Sequence, residues 1–182
     1  MNIYLIIGVC LVVLIYILIT YNRLVKLRNL VNEAFSTMDV YLKKRWDLVP
    51  NLVECVKEYM KHEKDTFERI TKIRMSWVNT NTITDKADLD NQLSEALKRI
   101  YAVSENYAEL KADTTFIQLT NELTIIERDI ANSRKYYNGT VRNYNNIVQM
   151  FPSNIVAFIL GFKSQKMFEI PTDEKENEKG IF

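Results

Sequence analysis

Residues Ile3 to Tyr21 read IYLIIGVCLVVLIYILITY, an apolar run without Asp, Glu, Lys, Arg or His. At about 1.5 Å per residue, a helix of this length just crosses a hydrocarbon core of about 30 Å. The run therefore predicts a transmembrane anchor over residues 1–22, in contact with the lipid bilayer through residues 3–21. A cleaved secretory signal is less favoured, because its leading segment is positively charged whereas Met1 and Asn2 carry no charged side chain.

The charges that flank this run predict its orientation. Arg23, Lys26 and Arg28 follow it directly, and no basic side chain precedes it. Basic residues beside a span are retained on the cytoplasmic side of a membrane. We therefore expect the N-terminus outside and residues 22–182 in the cytoplasm.

The composition of the chain restricts the classes of function. Its 24 Lys and Arg residues balance 23 Asp and Glu residues, so the net charge gives no reason to expect a nucleic-acid partner. Four Gly and three Pro residues favour long helices over sheets or Gly-rich nucleotide loops. Cys10 and Cys55 lie too far apart along the predicted helix to form a disulfide, and both are interpreted as small apolar residues.

An apolar repeat of three and four residues begins at Leu24 and continues, with one phase slip near Pro50, to Trp77. This spacing predicts a helix that packs along a coiled-coil-like seam. Pro50 removes a backbone donor and should bend the helix. We expect one long helix from the membrane to about Trp77, followed by a polar loop over residues 79–88.

Two further apolar stripes predict two more helices, over residues 89–110 and 116–148. Thr115 and Gln118 form a capping-box pair at the start of the second of these. Phe151-Pro152-Ser153 should end it.

The segment after this break is apolar over residues 155–162, but it is far too short to span a bilayer. Gly161 is a candidate helix cap. Because the third predicted helix is longer than the second, the apolar stripe at its end needs another segment to pack against. Either residues 153–162 fold back over it, or the helix breaks at Asn138-Gly139; the continuing stripe favours the first solution.

Residue types that carry chemistry are scarce. His62 is the single histidine, and Thr66 stands where a zinc-protease helix would place a second one. No serine or cysteine occurs in a nucleophile motif, and no glycine loop is suited to cradle phosphate. We therefore predict no catalytic residue, no metal site and no cofactor.

Four polar residues lie on or beside the apolar stripes: Arg45, Glu63, Asn138 and Asn145. Each needs a hydrogen-bond partner, because a buried polar group without one costs about 1–3 kcal/mol. The favoured interpretation is that they bond one another and fix the helix register, in which case leucine at positions 138 and 145 should leave the bundle folded. The alternative is a polar groove for a ligand or partner.

Several short motifs occur in order along the chain: RWDLVPNLVE at 45–54, AVSENY at 102–107, ERDIA at 127–131, the Tyr-Asn pairs at 137 and 144, and FPSNIVA at 151–157. Together they resemble the bacterial LemA family over nearly all of residues 21–169. Ala108 and Asp113 depart from the proline and asparagine usual in that family, which affects the expected shape of the second loop.

The resemblance implies a single-pass protein of the bacterial inner or cell membrane with a cytoplasmic helical bundle, and it implies no known activity. We expect an all-α fold with an anchor over 1–22, an antiparallel helical bundle over 23–162 and a tail over 163–182 that is disordered at its end.

The favoured function is a membrane-anchored scaffold or adaptor for a protein partner of unknown identity, and self-association into a homo-oligomer is compatible with it. The alternative is a small-ligand receptor or enzyme that uses a polar groove. The sequence does not identify binding residues.

Overall fold

The computed structural model describes residues 2–61, 64–80 and 82–168. Within these ranges the chain forms helices and no strand, which confirms the all-α prediction. The helices are α1 (Asn2–Lys57), α2 (Lys64–Val78), α3 (Ile83–Ser104), α4 (Ala108–Ala112), α5 (Thr114–Gln149) and α6 (Ser153–Ile159).

The first part of α1 is the apolar run. Every side chain from residue 3 to residue 19 is exposed, whereas Thr20 and Leu24 are buried. By length and composition, α1 is apolar enough at this end to cross a membrane. Without a membrane, this part of the helix would present a continuous apolar surface to water, which is unfavourable.

The chain divides into two compact units. Unit 1 contains Met1–Thr37 with Lys135–Met167, and unit 2 contains Met38–Arg134 with the segment that begins at Phe168. Each unit therefore takes one part of α1 and one part of α5.

Unit 1 is built on the packing of α1 against α5. The rings of Phe35 on α1 and Tyr137 on α5 lie 5.8 Å apart. Near them the predicted stripe of α5 is buried, and so is one face of α1. The buried side chains are Leu24, Val31 and Ala34 of α1 and Tyr137, Val141 and Tyr144 of α5.

The end of α6 has the hydrogen bonds of a Schellman motif. Gly161 has a φ of 73°, a left-handed conformation that favours glycine. Its N–H donates to the carbonyl of Phe158 at 3.2 Å, and the N–H of Phe162 donates to the carbonyl of Ala157 at 2.9 Å. The predicted cap is thus confirmed, and the reversal directs Phe162 against Tyr21 of α1, with ring centroids 6.0 Å apart.

In unit 2 the helix predicted to reach Trp77 is interrupted, so that prediction is wrong. α1 ends at Lys57 and α2 begins at Lys64. A straight helix would hold Trp46 and Trp77 roughly 46 Å apart, whereas their stacked rings lie 4.9 Å apart. When α2 returns along α1, apolar side chains are buried that a straight helix would leave exposed. This burial stabilises the reversal more than a continued helix would be stabilised by its repeat.

The core of unit 2 combines side chains from α1 to α5. Met60, in the turn after α1, is fully buried in it. The other buried members are Trp46, Val49, Leu52, Val56, Phe67, Ile70, Ile73, Leu93, Ala96, Leu97, Ile100, Leu110, Phe116 and Leu123.

The second predicted helix, over 89–110, also differs from the structure. α3 begins earlier, at Ile83, because the Thr82 hydroxyl accepts a hydrogen bond from the N–H of Asp85 at 3.1 Å and caps the helix start. The chain then turns after Ser104, and Ala108–Ala112 forms the separate α4.

The start of α5 has a different cap from the predicted one. Asp113, not Thr115, caps this helix: its Oδ1 accepts from the N–H groups of Thr115 at 2.8 Å and Phe116 at 3.0 Å. α5 continues through Asn138-Gly139 without a break, which excludes the alternative in which the helix breaks there.

Candidate functional sites

A buried charge cluster joins three helices in unit 2. Asp90 of α3 is fully buried, and each of its carboxylate oxygens accepts from a different arginine. Oδ1 lies 2.7 Å from Nη1 of Arg45 on α1, and Oδ2 lies 2.8 Å from Nη2 of Arg134 on α5. One carboxylate thus bridges two guanidinium groups that are themselves nearly inaccessible to water.

Arg45 has two further partners. Its Nη2 donates to the Ser94 hydroxyl at 2.9 Å and lies 2.5 Å from Oε1 of Glu127. The side chain of Glu127 is 44% exposed, so the second negative charge of the cluster remains solvated. Two carboxylates thus face two guanidinium groups, so the charges of the cluster balance, although Asp90 alone of the two carboxylates is buried.

The prediction that Arg45 pairs internally is confirmed, but its partners are not the residues that the sequence suggested. Glu63 lies outside the described residues. Asp90 was missed, although a pattern pointed to it: Ala87, Asp90, Leu93 and Leu97 have the three- and four-residue spacing of a buried helix face. The helix predicted over 89–110 begins one residue before Asp90, so the turn that sets Asp90 in line with Ala87 lies outside that prediction.

Replacing Asp90 by alanine should strongly destabilise the protein. The Asp90→Ala variant leaves two buried guanidinium groups facing each other without their shared counter-charge, which costs about 3–5 kcal/mol. Chemical unfolding of the detergent-solubilised chain, followed by circular dichroism, measures this loss. Glu122→Ala, at an exposed position of α5, should change the free energy of unfolding by less than about 0.5 kcal/mol. Equal effects of the two substitutions would contradict a structural role for the cluster.

In unit 1, polar side chains of α5 hold the segment that follows α6. Asn145 makes two bonds to one residue: its Nδ2 donates to the carbonyl of Gln165 at 2.9 Å, and its Oδ1 accepts from the N–H of Gln165 at 2.8 Å. The Tyr137 hydroxyl donates to the carbonyl of Lys166 at 2.9 Å. Burial raises the pKa of Tyr137, which keeps the donated proton in place.

The two asparagines therefore do not bond each other in the way that the sequence suggested. Asn145 satisfies the main chain of Gln165, and Asn138 is half-buried on the same helix. The chain after α6 returns along α5 through Gln165 and Lys166, whereas the favoured solution for the end of this helix had assigned that role to residues 153–162. Residues 169–182, which include the part predicted to be disordered, lie outside the described residues.

The Asn145→Leu substitution should release this segment. Leucine leaves the N–H and C=O groups of Gln165 without their partner, which costs about 1–3 kcal/mol. This expectation reverses the one drawn from the sequence. The free energy of unfolding and the rate of tryptic cleavage after Lys163 and Lys166 measure the effect. Asn143→Leu, at an exposed position two residues away, should leave both unchanged; a stable, protease-resistant Asn145→Leu variant would refute the tether.

An aromatic cavity lies on the surface of unit 2. It has a volume of about 310 Å³, and its lining contains the stacked rings of Trp46 and Trp77. Lys86 lies over the Trp77 ring, 5.4 Å from its centroid, and is paired with Asp39. Among the described residues, Nε1 of the buried Trp46 finds no hydrogen-bond acceptor. The charged rim also contains Lys43, Asp47 and Arg74.

An acidic groove of about 490 Å³ forms a second concave surface of unit 2. It brings Glu54 of α1 and Glu58, in the turn after α1, close to Asp113. Its remaining lining residues are Asn51, Cys55, Tyr59, Thr115 and Leu119.

The pKa shifts in this groove favour a negative charge on Asp113 and protonated Tyr59 and Cys55 side chains. The Tyr59 hydroxyl donates to Asp113 at 3.2 Å, and this bond raises the pKa of Tyr59. The N–H of Phe116 holds the pKa of Asp113 below its usual value. Burial and the neighbouring carboxylates raise the pKa of Cys55, so its thiol stays protonated at neutral pH.

Within residues 2–61, 64–80 and 82–168, no group of three or more His, Cys, Asp or Glu side chains is placed to hold a metal ion. His62 lies outside these ranges.

These features define a class: an all-α protein with one exposed apolar helix end and a buried charge cluster between its helices. The model of the LemA family matches residues 34–181. The chain belongs to the LemA family, as its motifs indicated.

Individual relatives agree with this assignment. Protein LemA of Metamycoplasma hominis is 26% identical over 147 residues, which cover 80% of this chain and 64% of the relative. Magnetosome protein MamQ 2 of Paramagnetospirillum magneticum is 34% identical over 80 residues, or 44% of this chain and 29% of the relative. Magnetosome protein MamQ of Magnetospirillum gryphiswaldense is 29% identical over 79 residues, which cover 43% of this chain and 29% of the relative. The chain thus spans less than two thirds of the length of each of these relatives.

Proposed function

We propose that this chain is a single-pass membrane protein whose helical units act as a scaffold or adaptor for a protein partner. The observation that carries the proposal is the continuity of α1. One unbroken helix contains the exposed apolar run and then the buried faces that build both units. A partner bound to these units would be held beside the membrane.

The proposed location is the bacterial inner or cell membrane, with the units in the cytoplasm. Arg23, Lys26 and Arg28 follow the apolar run and are exposed, as expected for residues on the cytoplasmic side. The relatives named above are bacterial proteins, which supports a bacterial membrane.

The orientation predicts how thiols react in spheroplasts. With Cys10 and Cys55 replaced by alanine, a Val78→Cys variant offers one thiol at an exposed position of α2. A membrane-impermeant maleimide should label it only after permeabilisation. The matched variant Asn2→Cys, on the other side of the apolar run, should be labelled in intact spheroplasts. The opposite labelling pattern would invert the proposed topology.

The scaffold role is supported by how the polar residues of the stripes are used. Arg45 is bonded to Asp90, Ser94 and Glu127, and Asn145 is bonded to the main chain of Gln165. These side chains are bonded within their units, so they do not line an internal groove for a ligand or a reaction. A protein partner would therefore contact exposed residues of the units.

Site-specific crosslinking in living cells tests the adaptor role. A photo-reactive phenylalanine analogue replaces Met75 or Val78, which are exposed apolar residues of α2, or Glu58 of the acidic groove. We expect an adduct with one other protein from at least one of these positions, and none from the exposed Glu122. Adducts with copies of this chain alone would contradict the adaptor role and favour a homo-oligomer.

A small-ligand receptor is the second candidate function, and the Trp46–Trp77 cavity favours it. Its volume of about 310 Å³ lies within the range of small-molecule sites, and the indole N–H of Trp46 would donate to an acceptor on the ligand. Trp46 and Trp77 are the two tryptophans of the chain. Intrinsic fluorescence therefore reports a ligand at this cavity, and a saturable change in emission with a small molecule distinguishes a receptor from an adaptor.

A further inference from the structure

The turn between α5 and α6 has an apolar surface that the protein leaves uncovered. On α6, Val156 and Ala157 are buried against the rest of unit 1, but Phe158 is 86% exposed and Ile159 is 72% exposed. Phe151, in the turn before α6, is 79% exposed. An exposed apolar cluster of this kind on a small protein indicates a binding surface.

The register of α5 on α1 shows where this surface lies along α1. Tyr137 contacts Phe35, and the charge of Arg28 acts on Tyr144, opposing the rise in its pKa that burial causes. The two pairs are seven residues apart on each helix and run in opposite directions, so α5 is antiparallel to α1. A further seven residues along the chain lead from Tyr144 to Phe151, and seven residues back along α1 lead from Arg28 to Tyr21. Phe151 therefore lies level with Tyr21, at the end of the apolar run.

A direct contact places the other end of the turn at the same level. The Phe162 ring lies 6.0 Å from that of Tyr21 and 5.3 Å from the Arg28 guanidinium. Beside it, an open crevice of about 530 Å³, lined in part by Ile155 and Phe158, extends the apolar surface.

The charges of unit 1 complement an anionic surface. The residues of this unit include seven Lys and Arg residues and a single acidic residue, Glu33. Arg23, Lys26 and Lys163, which lie near the level of Tyr21, are exposed. Basic residues next to a span are attracted to anionic lipid headgroups.

We propose that the segment Phe151–Phe162, with the basic residues beside it, is a second membrane-binding site that inserts into the interface of the leaflet from which α1 emerges. Its ligand is an anionic phospholipid headgroup together with the upper part of the acyl chains. This site rests on the proposed membrane anchor, because the level of Tyr21 marks the interface only if the apolar run spans the bilayer. Aromatic and aliphatic side chains enter the headgroup and acyl boundary to a depth of about 5–10 Å.

Depth-dependent fluorescence quenching tests the site. The full-length chain, with Cys10→Ala and Cys55→Ala, carries an environment-sensitive label at Phe158→Cys and is reconstituted into vesicles of phosphatidylcholine and phosphatidylglycerol. Parallel variants carry the label at Phe151→Cys, in the apolar run at Leu11→Cys, or at Tyr136→Cys. Tyr136 is the matched control, since it is 52% exposed on α5 in the same unit.

We expect a nitroxide near the top of the acyl chain to quench the labels at positions 158 and 151 by at least about half, as insertion at the interface requires. A nitroxide near the end of the acyl chain should quench the label at Leu11 best, and the label at Tyr136 should respond to neither. Replacing phosphatidylglycerol by phosphatidylcholine should reduce quenching at position 158 but not at Leu11.

The outcomes separate this site from the anchor. Quenching at Leu11 with none at positions 158 and 151 overturns the second site and leaves the anchor in place. No quenching at Leu11 overturns the anchor and the second site together. Labels at 158 and 151 that are shielded from aqueous iodide but insensitive to lipid nitroxides show that protein covers this surface, for example a second copy of the chain, and this also refutes the site. Quenching that does not depend on phosphatidylglycerol overturns the assignment of an anionic headgroup.

Discussion

The carboxylate of Asp90 is the group on which the packing of unit 2 depends. It lies where α1, α3 and α5 meet and is the shared acceptor of Arg45 and Arg134. Taking such charges out of water costs several kcal/mol per ion, and this is offset only when geometry and partners are favourable. The offset is not complete, because Nε of Arg45 has no acceptor among the described residues. A cluster of this kind contributes little net stability, but it penalises any register of the three helices that separates the charges.

Unit 1 uses polar side chains in another way. Its buried faces are apolar and aromatic, and its polar residues bind main-chain groups of a segment that has no helix of its own. Buried N–H and C=O groups need partners, and Asn145 supplies both for Gln165. A side-chain amide can do this because it offers one donor and one acceptor in a plane, as a peptide group does. The chain after α6 is thereby ordered without a regular element.

The sequence was informative where local periodicity and tertiary packing agree. The stripe of α5 and the glycine at the end of α6 could be predicted, because the apolar spacing and the glycine are both visible in the sequence. The reversal after Lys57 could not, since the apolar repeat continues through Trp77. The turn is favoured by tertiary packing, namely the stacking of Trp46 on Trp77 and the burial of the apolar face of α2 in the core. The cap at Asp113 and the buried Asp90 were missed for a related reason. Spacing can place a polar residue at a helix start or on a buried face, but it does not show which N–H group or opposing side chain that residue bonds.

The distribution of charge between the units shows a second limit of sequence composition. Over the whole chain 24 basic residues balance 23 acidic ones, which gives no indication of a charged partner. The fold separates these charges, because unit 1 draws seven basic residues and one acidic residue from two distant parts of the sequence. Electrostatic attraction to a surface falls off within about 10 Å at moderate salt, so the local charge of unit 1 determines what it attracts, and the near-zero total does not. Unit 2 keeps a mixture of both signs, and its acidic groove is a local feature within that mixture. A protein that is neutral overall can therefore present a basic unit to anionic lipid and a separate surface of mixed charge to a partner.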